Sequence, residues 1–251
     1  MTEVLHAHFV DHAYPMHAHA SWTLLLVDDG AVRYELDRHA HLVDSAVTLL
    51  PPHVPHNGRS ATASGFRKRV VYLDAAQLPA ELIGRAVDQP VLFDAPLRQR
   101  IHRIHGALAR PGEEFEAESL LALVAERLSE HLRRRVGEGV ALADPPLARA
   151  LRELLAERFR SGLTLAEAAA HLHAHPAHLV RTFSREYGMS PHQYLTSLRV
   201  DHSRRLLLSG MPLAEVATAA GFYDQPHLTR HFTRILGAAP GRFARSGRGQ
   251  A

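Results

Sequence analysis

The sequence predicts an α+β fold in two parts: a small N-terminal β-barrel or jelly roll followed by two helices, and an all-α C-terminal part. Three observations predict this fold. Short apolar segments with turn signals between them fill about the first 95 residues. Two amphipathic stretches follow them. After residue 163, one helix-turn-helix pattern occurs twice.

The predicted strands are short and lie between turn residues. Trp22 to Val27 is an apolar run that ends at the turn signal Asp28-Asp29-Gly30, and Ala31 to Leu36 alternates apolar and polar residues. Val47 to Leu50 runs into two prolines, and Arg69 to Leu73 is rich in β-branched and aromatic residues. Strands of this length at near-regular spacing indicate a small barrel or jelly roll.

Two amphipathic helices are predicted next, over residues 96–109 and 114–136. The second begins with glutamates and ends with arginines, which complements the helix dipole at both ends. Its apolar stripe is wide enough to pack on the barrel and also against a partner chain. Either the helix only closes the barrel or it forms a homodimer seam. The leucines expected in such a seam are Leu121, Leu128 and Leu132.

The last third of the chain contains the same pattern twice. The segment LAEAA at 165–169 returns as LAEVA at 213–217, and HLVRTF at 178–183 returns as HLTRHF at 227–232. The first pair is offset by 48 residues and the second by 49, so the second copy has one extra residue in its central turn. Each copy fits a helix, a turn and a second helix, and two such units are suited to reading DNA at two successive places.

The two central turns differ in sequence. In the second copy Gly221 provides the backbone freedom for a turn, Phe222 is predicted to plug the core, and Asp224 is a candidate N-cap. The first copy has no glycine there. It has the run 172–175, followed by Pro176 where a first-turn proline is tolerated.

The second helix of each copy is predicted to present one face to DNA. Leucine and phenylalanine four residues apart, such as Leu228 and Phe232, form the buried stripe. The candidate DNA-binding residues of the opposite faces are His178, Arg181 and Arg185 in the first copy, with Thr182 beside them, and Gln225, His227, Thr229, Arg230 and Arg234 in the second. Arginine binds guanine and glutamine binds adenine in the major groove, while Ala177 and Val180 suit a thymine methyl group.

Charge is divided in the same way as the motifs. From residue 145 onward there are 14 arginines, no lysine and seven acidic residues, whereas residues 1–144 hold 15 basic and 19 acidic residues. A basic half joined to an acidic half is typical of a nucleic-acid-binding module attached to another domain.

The segment LAEVATAAGFYDQPHLTRHFTRILGAAPGRF, from residue 213, resembles the C-terminal signature of AraC/XylS-type bacterial transcription regulators, and residues 163–195 resemble its first half. The resemblance covers about residues 147–245. It implies a seven-helix domain in which a long central helix, about Pro191 to Ser209, separates the two units. A separation of roughly 34 Å would place both recognition helices in adjacent major-groove segments.

The N-terminal half is similar to the cupin-type sensor domain of many AraC-type regulators. The similar features are His17-x-His19, then Gly30, then VTLLPPHVPH ending at His56. The expected organisation is a ligand-sensing and dimerisation domain at 1–140 and a DNA-binding domain at 145–251. Residues 137–146, with two glycines and two prolines, are the candidate linker.

A small-molecule effector is expected to bind inside the barrel. The candidate effector-binding residues are His17, His19, Trp22, Tyr34, His56, Arg67 and Arg69. The arginines would meet an acidic ligand and the aromatic rings would stack on it. Alternatively, Val70 and Tyr72 are the inward set and both arginines face solvent.

No cofactor is certain, and a divalent metal bound by His17, His19 and His56 is the alternative to an organic ligand. Metal cupins usually have a glutamate four residues after the second histidine, where this chain has Thr23; Glu35 is the candidate substitute. Two other functions stay open: a cupin metalloenzyme or metal sensor fused to a DNA-binding domain, and a constitutive DNA-binding protein.

The predicted partners are double-stranded DNA, a small-molecule effector, a second copy of the chain and RNA polymerase. The sequence has no cysteine, which excludes disulfides and thiolate metal sites. It has no long apolar run, so we expect no membrane contact and a cytoplasmic protein. It also has no nucleophile or phosphate-loop motif, and we expect no enzyme activity.

Overall fold

The computed structural model describes residues 3–9, 13–133 and 144–248. They divide into two compact units. The N-terminal unit contains the described residues of Met1–Gly106 and Leu123–Gly139, and the C-terminal unit contains those of Ala107–Ala122 and Val140–Ala251. The domain division expected from the sequence, at 140–145, differs from these units in residues 107–122. Most of the candidate linker, residues 137–143, lies outside the described residues.

Strands dominate the N-terminal unit. Their bounds are β1 Glu3–Phe9, β2 Ala13–His17, β3 Trp22–Gly30, β4 Val32–Leu36, β5 His39–Val43, β6 Val47–Leu50, β7 His56–Ser60, β8 Phe66–Leu73 and β9 Val91–Leu92. One antiparallel sheet has the order β1-β8-β3-β6-β9 and the other has the order β2-β7-β4-β5.

The two sheets of this unit enclose one apolar core. In β4 the inward positions Val32, Tyr34 and Leu36 are buried and the residues between them are exposed, which is the period of a strand with one wet face. They pack in one cluster with Val27 and Phe66 of the other sheet. The N-terminal fold is therefore the small two-sheet β structure that the strand pattern predicts.

Three helices complete this unit: α1 Ile83–Asp88, α2 Ala95–Leu108 and the second half of α3 Glu114–Leu132. Asp94 ties α2 to α3. One carboxylate oxygen accepts the Leu97 amide at 2.9 Å, and the other accepts Arg127 Nε at 2.7 Å and His131 Nε2 at 2.6 Å. Burial raises the pKa of Asp94, but these hydrogen bonds lower it more, to about 2.

The predicted dimer seam on α3 needs a correction. Leu128 and Leu132 are buried within the chain itself, and only Leu121 keeps part of its surface. Because Leu128 and Leu132 pack into the core of their own chain, they are not available to a partner chain. The last residues of the predicted helix, 134–136, lie outside the described residues.

The C-terminal unit contains the seven helices that the family resemblance implies. Their bounds are α4 Pro145–Arg158, α5 Leu165–His171, α6 Pro176–Tyr187, α7 Pro191–Leu208, α8 Leu213–Ala219, α9 Gln225–Leu236 and α10 Pro240–Arg248. The predicted helix-turn-helix units are α5 with α6 and α8 with α9, and α7 is the predicted central helix. Pro145 and Pro146 belong to α4, capped by Asp144, rather than to a linker.

Both central turns have the same backbone shape despite their different sequences. Ala174 N donates to Ala169 O at 3.0 Å, and Phe222 N donates to Ala217 O at 2.9 Å, which is the Schellman bond that ends a helix. The motif requires a left-handed residue just before the donor. Gly221 has φ +80° there, and His173 has φ +50° at the equivalent position of the first copy.

Across the part of the chain that the structure describes, no helix combines the length and the apolar character that crossing a bilayer requires.

Candidate nucleic-acid interface and ligand pocket

The second helix-turn-helix presents one side of α9. Asp224 caps the helix by accepting the His227 amide at 2.7 Å, so the chain enters α9 with Gln225 exposed. Leu228 and Phe232 are buried, as predicted. Thr229, part-exposed, lies on the opposite side of the helix, where a DNA groove would be reached.

His227 is not on that exposed face, and its assignment as a DNA contact is wrong. The ring is buried, and its Nδ1 accepts the Tyr223 amide at 3.2 Å. Tyr223 is the extra residue that the 49-residue offset predicts. Burial, followed by the charge of the neighbouring His231, lowers the pKa of His227 to about 4. The ring is therefore a neutral core group at neutral pH.

Arg230 lies at the edge of the exposed face, with 37% of its side chain accessible. Its Nη2 donates to Glu113 Oε1 at 2.8 Å. The same oxygen accepts His231 Nε2 at 2.8 Å, and the other Glu113 oxygen lies 2.9 Å from His192 Nε2. Burial raises the pKa of Glu113, but His192 and His231 lower it far more, so the carboxylate is ionised.

Recognition helix α6 of the first helix-turn-helix has a wider buried side than predicted. Arg185 is exposed and Arg181 part-exposed, as a DNA face requires. Thr182, Ala177 and Val180 are all buried, so neither Thr182 nor the expected apolar contacts to thymine face outward. A helix with five buried residues in its twelve leaves only a narrow polar stripe.

His178 also belongs to this stripe and has an acidic neighbour. Its Nε2 lies 3.6 Å from Asp144 Oδ2, and both side chains are partly exposed. An ion pair at that distance in a solvated position contributes little to stability. The histidine is therefore able to leave Asp144 for a phosphate or a base.

The N-terminal unit contains a pocket between its two sheets. Three histidines meet at one end of it. The ring centroids of His17 and His56 are 4.5 Å apart, and His19 lies 4.9 Å from His17 and 5.1 Å from His56. The other lining residues are Tyr14, Thr23, Leu25, Val32, Tyr34, Leu50, Asn57, Gly58, Phe66, Lys68, Val70 and Tyr72.

The histidine rings have defined orientations. Nδ1 of His17 lies 2.8 Å from Pro15 O, and Nδ1 of His56 lies 3.0 Å from Val54 O. A carbonyl oxygen only accepts, so both rings carry their proton on Nδ1 and expose the Nε2 lone pair. Burial is the main cause that lowers the pKa of His19, and it lowers that of His56 to about 4. The lowered pKa values favour the neutral form of His19 and of His56.

Three of the predicted effector residues lie away from this pocket. Trp22 is buried but does not line it. Arg69 donates to Asp28 at 2.6 and 2.7 Å, and Arg67 is exposed. The strand period explains the error, because Lys68, Val70 and Tyr72 occupy the inward side of β8 and its arginines occupy the other.

The position of the usual cupin glutamate is part of the pocket wall. Thr23 is buried there, and its Oγ1 has no hydrogen-bond partner among the described residues. Glu35, the candidate substitute, is exposed on the outer face of β4 and accepts Asn57 Nδ2 at 3.1 Å. Neither residue can supply a carboxylate to the histidines.

Lys68 is the functional candidate that the sequence reading missed. It is the single lysine among 29 basic residues, and its Nζ lies 4.0 Å from the centroid of the Tyr14 ring. Burial lowers the pKa of Lys68 to about 8. A lone lysine in an arginine-rich chain was the available signal, since lysine, unlike arginine, shifts its pKa readily when it is buried.

Two known family models match this chain, one over most of the N-terminal half and one over the C-terminal helices. Residues 1–125 match the AraC-like ligand binding domain, and residues 168–246 match a helix-turn-helix domain. The chain belongs to the AraC family of transcriptional regulators. This AraC-family regulator binds DNA through its C-terminal helices and carries an N-terminal ligand-binding domain.

Relatives of this AraC-family regulator match it at low identity. The HTH-type transcriptional regulator YobQ of Bacillus subtilis is 24% identical over 90% of this chain and 87% of the relative. The arabinose operon regulatory protein of Escherichia coli is 26% identical over 78% of this chain and 70% of the relative. The solved C-terminal domain of AraT, a response regulator from Geobacillus stearothermophilus, is 31% identical over 40% of this chain and 85% of that chain, with a TM-score of 0.39.

Proposed function

We propose that this regulator responds to a small organic acid bound in the pocket between its two sheets, and that Arg230 reads a guanine at the operator. The observation that carries the first part is Lys68, the only lysine of the chain, among aromatic rings and histidines in that pocket. Ligand binding then shifts a conformational equilibrium and performs no chemistry.

The chemistry of the pocket favours an acid with an apolar body. Lys68 supplies a positive charge, and the Nε2 atoms of His17 and His56 accept hydrogen bonds from a hydroxyl or amine on the ligand. Phe66, Val70 and Leu25 supply apolar walls. A few polar groups converging in a mostly apolar cavity are typical of small-molecule sites.

The experiment that tests this function maps the DNA protected by the purified full chain upstream of its own and neighbouring genes. Protection is measured alone and with aromatic and aliphatic monocarboxylates, such as benzoate and decanoate, as probes. A monocarboxylate should change the affinity for a specific site. Specific protection that no acid changes would support a constitutive DNA-binding protein instead.

Lys68 makes the effector response depend on pH. Its pKa is about 8, so the ammonium is present below that pH and is lost above it. The affinity for a monocarboxylate that works as effector should fall by up to about tenfold between about pH 7 and pH 9. Lys68→Arg should retain affinity at about pH 9, and Lys68→Met should bind weakly at both pH values. Wild-type affinity that does not vary with pH would contradict the role of Lys68.

A metal at the histidine cluster is the second candidate, and the ring orientations favour it. Histidine ligands of metals usually donate their other ring nitrogen to a carbonyl oxygen, as His17 and His56 do. The ligand atoms of His17, His19 and His56 lie within 4.8 Å of one another. Metal analysis of untagged protein tests this candidate. If the wild type holds one equivalent of zinc, nickel or iron and His17→Ala does not, the pocket binds a metal and the proposal of an organic effector is wrong.

We also propose that the regulator acts as a homodimer in the cytoplasm, where DNA is read. Support for a dimer comes from the N-terminal unit, where Phe93 is 84% exposed. Phe93→Glu should shift sedimentation from dimer to monomer, and a monomeric wild type would contradict the dimer. Contact with RNA polymerase stays a prediction.

A further inference from the structure

Glu113 is a buried carboxylate at the edge of the DNA-reading helix. It precedes α3 and belongs to the same compact unit as α9. Only 3% of its side chain is exposed, while the contacting groups of Arg230, His231 and His192 surround both its oxygens. A buried charge is stable only when it is paired in this way.

Ligand atoms of Glu113, His227 and His231 lie within 4.8 Å of one another, but the ring orientations argue against a metal held by these three residues. Nδ1 of His227 accepts the Tyr223 amide, and Nδ1 of His231 lies 2.8 Å from Arg234 Nη2. Arginine and amide nitrogens only donate here, so both rings accept at Nδ1 and carry their proton on Nε2. A protonated Nε2 cannot bind a metal.

The protonation of His231 instead makes a continuous chain of donors and acceptors. Arg234 donates to His231 Nδ1, His231 Nε2 donates to Glu113 Oε1 at 2.8 Å, and Arg230 donates to the same oxygen at 2.8 Å. This series of hydrogen bonds links both arginines of α9 to the carboxylate of Glu113. Arginine side chains lose rotamer entropy when they are fixed, so holding them before DNA arrives removes part of the cost of binding.

Gly112 allows the carboxylate to come this close. It has φ +88°, and a Cβ there would lie 2.2 Å from the His227 ring. The backbone before Glu113 therefore packs directly on α9. This contact gives the buried His227 a structural reason in place of the DNA role that the sequence predicts.

We infer that Glu113 is a positioning residue for DNA recognition: it holds Arg230 at the edge of α9 in the orientation that reads one base pair. Arg230 Nε is buried without a hydrogen-bond partner among the described residues, whereas 37% of the side chain stays accessible to a base while Nη2 is held on Glu113. The inference rests on the proposed base reading by Arg230. It adds that specificity at this base pair requires a carboxylate outside the helix-turn-helix.

The test measures the affinity of the full chain for its protected site and for all single base-pair variants of that site. Glu113→Gln keeps the size of the side chain and removes the charge. At the base pair whose preference Arg230→Ala relaxes, Glu113→Gln should lower the sequence preference by roughly fivefold. The preferences at all other base pairs should not change. In an Arg230→Ala background, Glu113→Gln should have no further effect on preference.

Glu157→Gln is the matched control, because it removes an exposed negative charge from α4 without touching Arg230. It should change affinity equally for all sequences. Glu113→Ala should have the larger effect on base preference. If the alanine variant does not fold, the test is decided by Glu113→Gln alone. Equal weakening at every base pair, or tighter binding at every base pair, would overturn the inference.

The two proposals fail in different ways. If Arg230→Ala leaves every base preference unchanged, the proposed base reading is wrong and the inference falls with it. If Arg230→Ala relaxes one position but Glu113→Gln does not, the base reading stands and only the positioning role is wrong.

Discussion

The two helix-turn-helix units come from one repeated pattern, yet they hold their recognition helices differently. Each recognition helix has an acidic neighbour from outside its own motif. Asp144 lies 3.6 Å from His178 of α6 and is 40% exposed, whereas Glu113 contacts α9 at 2.8 Å and is 3% exposed. A solvated pair contributes little and a buried one is strong, so α9 is restrained by its neighbour and α6 is not.

The central turns differ in the same direction. Both adopt the left-handed residue of a Schellman motif, but the second uses Gly221 and the first uses His173. A Cβ at Gly221 would lie 2.7 Å from Phe159 O, a contact shorter than packing permits. The second turn is thus packed against α4 and accepts only glycine, while the exposed first turn tolerates a side chain.

The largest expected effect tests that difference. Gly221→Ala should destabilise the C-terminal unit by about 2–4 kcal/mol, because it adds left-handed strain and a clash with a backbone oxygen. Denaturant unfolding measures it. His173→Ala, the matched change in the first turn, should cost less than about 1 kcal/mol. Equal losses would show that the turns are equivalent.

The next effect compares the arginines of the two helices. Arg230→Ala should lower affinity for the protected site by about 1–3 kcal/mol and relax one base pair. Arg181→Ala should relax a different base pair, about one turn of DNA away. Arg205→Ala, an exposed arginine on α7, should only weaken binding equally for all sequences. If Arg230→Ala behaves like Arg205→Ala, then α9 does not read bases.

Acid should lower the folding stability of the second helix-turn-helix, because this motif contains the buried imidazole of His227. The pKa of His227 is lowered by burial to about 4, below its ordinary value of 6.5. The unfolded chain therefore binds the proton more readily, and stability present above about pH 6.5 is lost as the pH falls toward 4. At about pH 5 the loss should be on the order of 1–2 kcal/mol.

His227→Gln is the control for this pH dependence. Burial also lowers the pKa of His231, so the slope of unfolding free energy against pH should decrease in His227→Gln without vanishing. An unchanged slope would mean that His227 is protonated in the folded protein.

The smallest expected effect is a gain. His173→Gly should relieve the left-handed strain of the first turn, partly offset by the greater freedom of glycine in the unfolded chain. The net change should be a stabilisation below about 1 kcal/mol in denaturant unfolding. A clear loss would show that the His173 side chain makes contacts that stabilise this turn.

The amino-acid sequence by itself determined the family and the helices of both helix-turn-helix units. The repeat offsets predicted both helix-turn-helix units and one extra residue in the second central turn, and Asp224 is the predicted cap of α9. Helix periodicity also placed Leu228 and Phe232 in the core. These features are local, because caps, turns and stripes depend on residues within a few positions of one another.

The tertiary structure alone decided which polar residues are accessible and which distant residues meet. Sequence periodicity left the inward face of β8 open, and only the pairing of β8 with β3 turned Lys68 into the pocket and Arg69 to Asp28. Likewise, no local pattern joins Glu113 to Arg230 and His231. Their contact spans more than a hundred residues, and the neighbouring Gly112 packs on His227, a buried residue that the sequence assigned to the DNA groove.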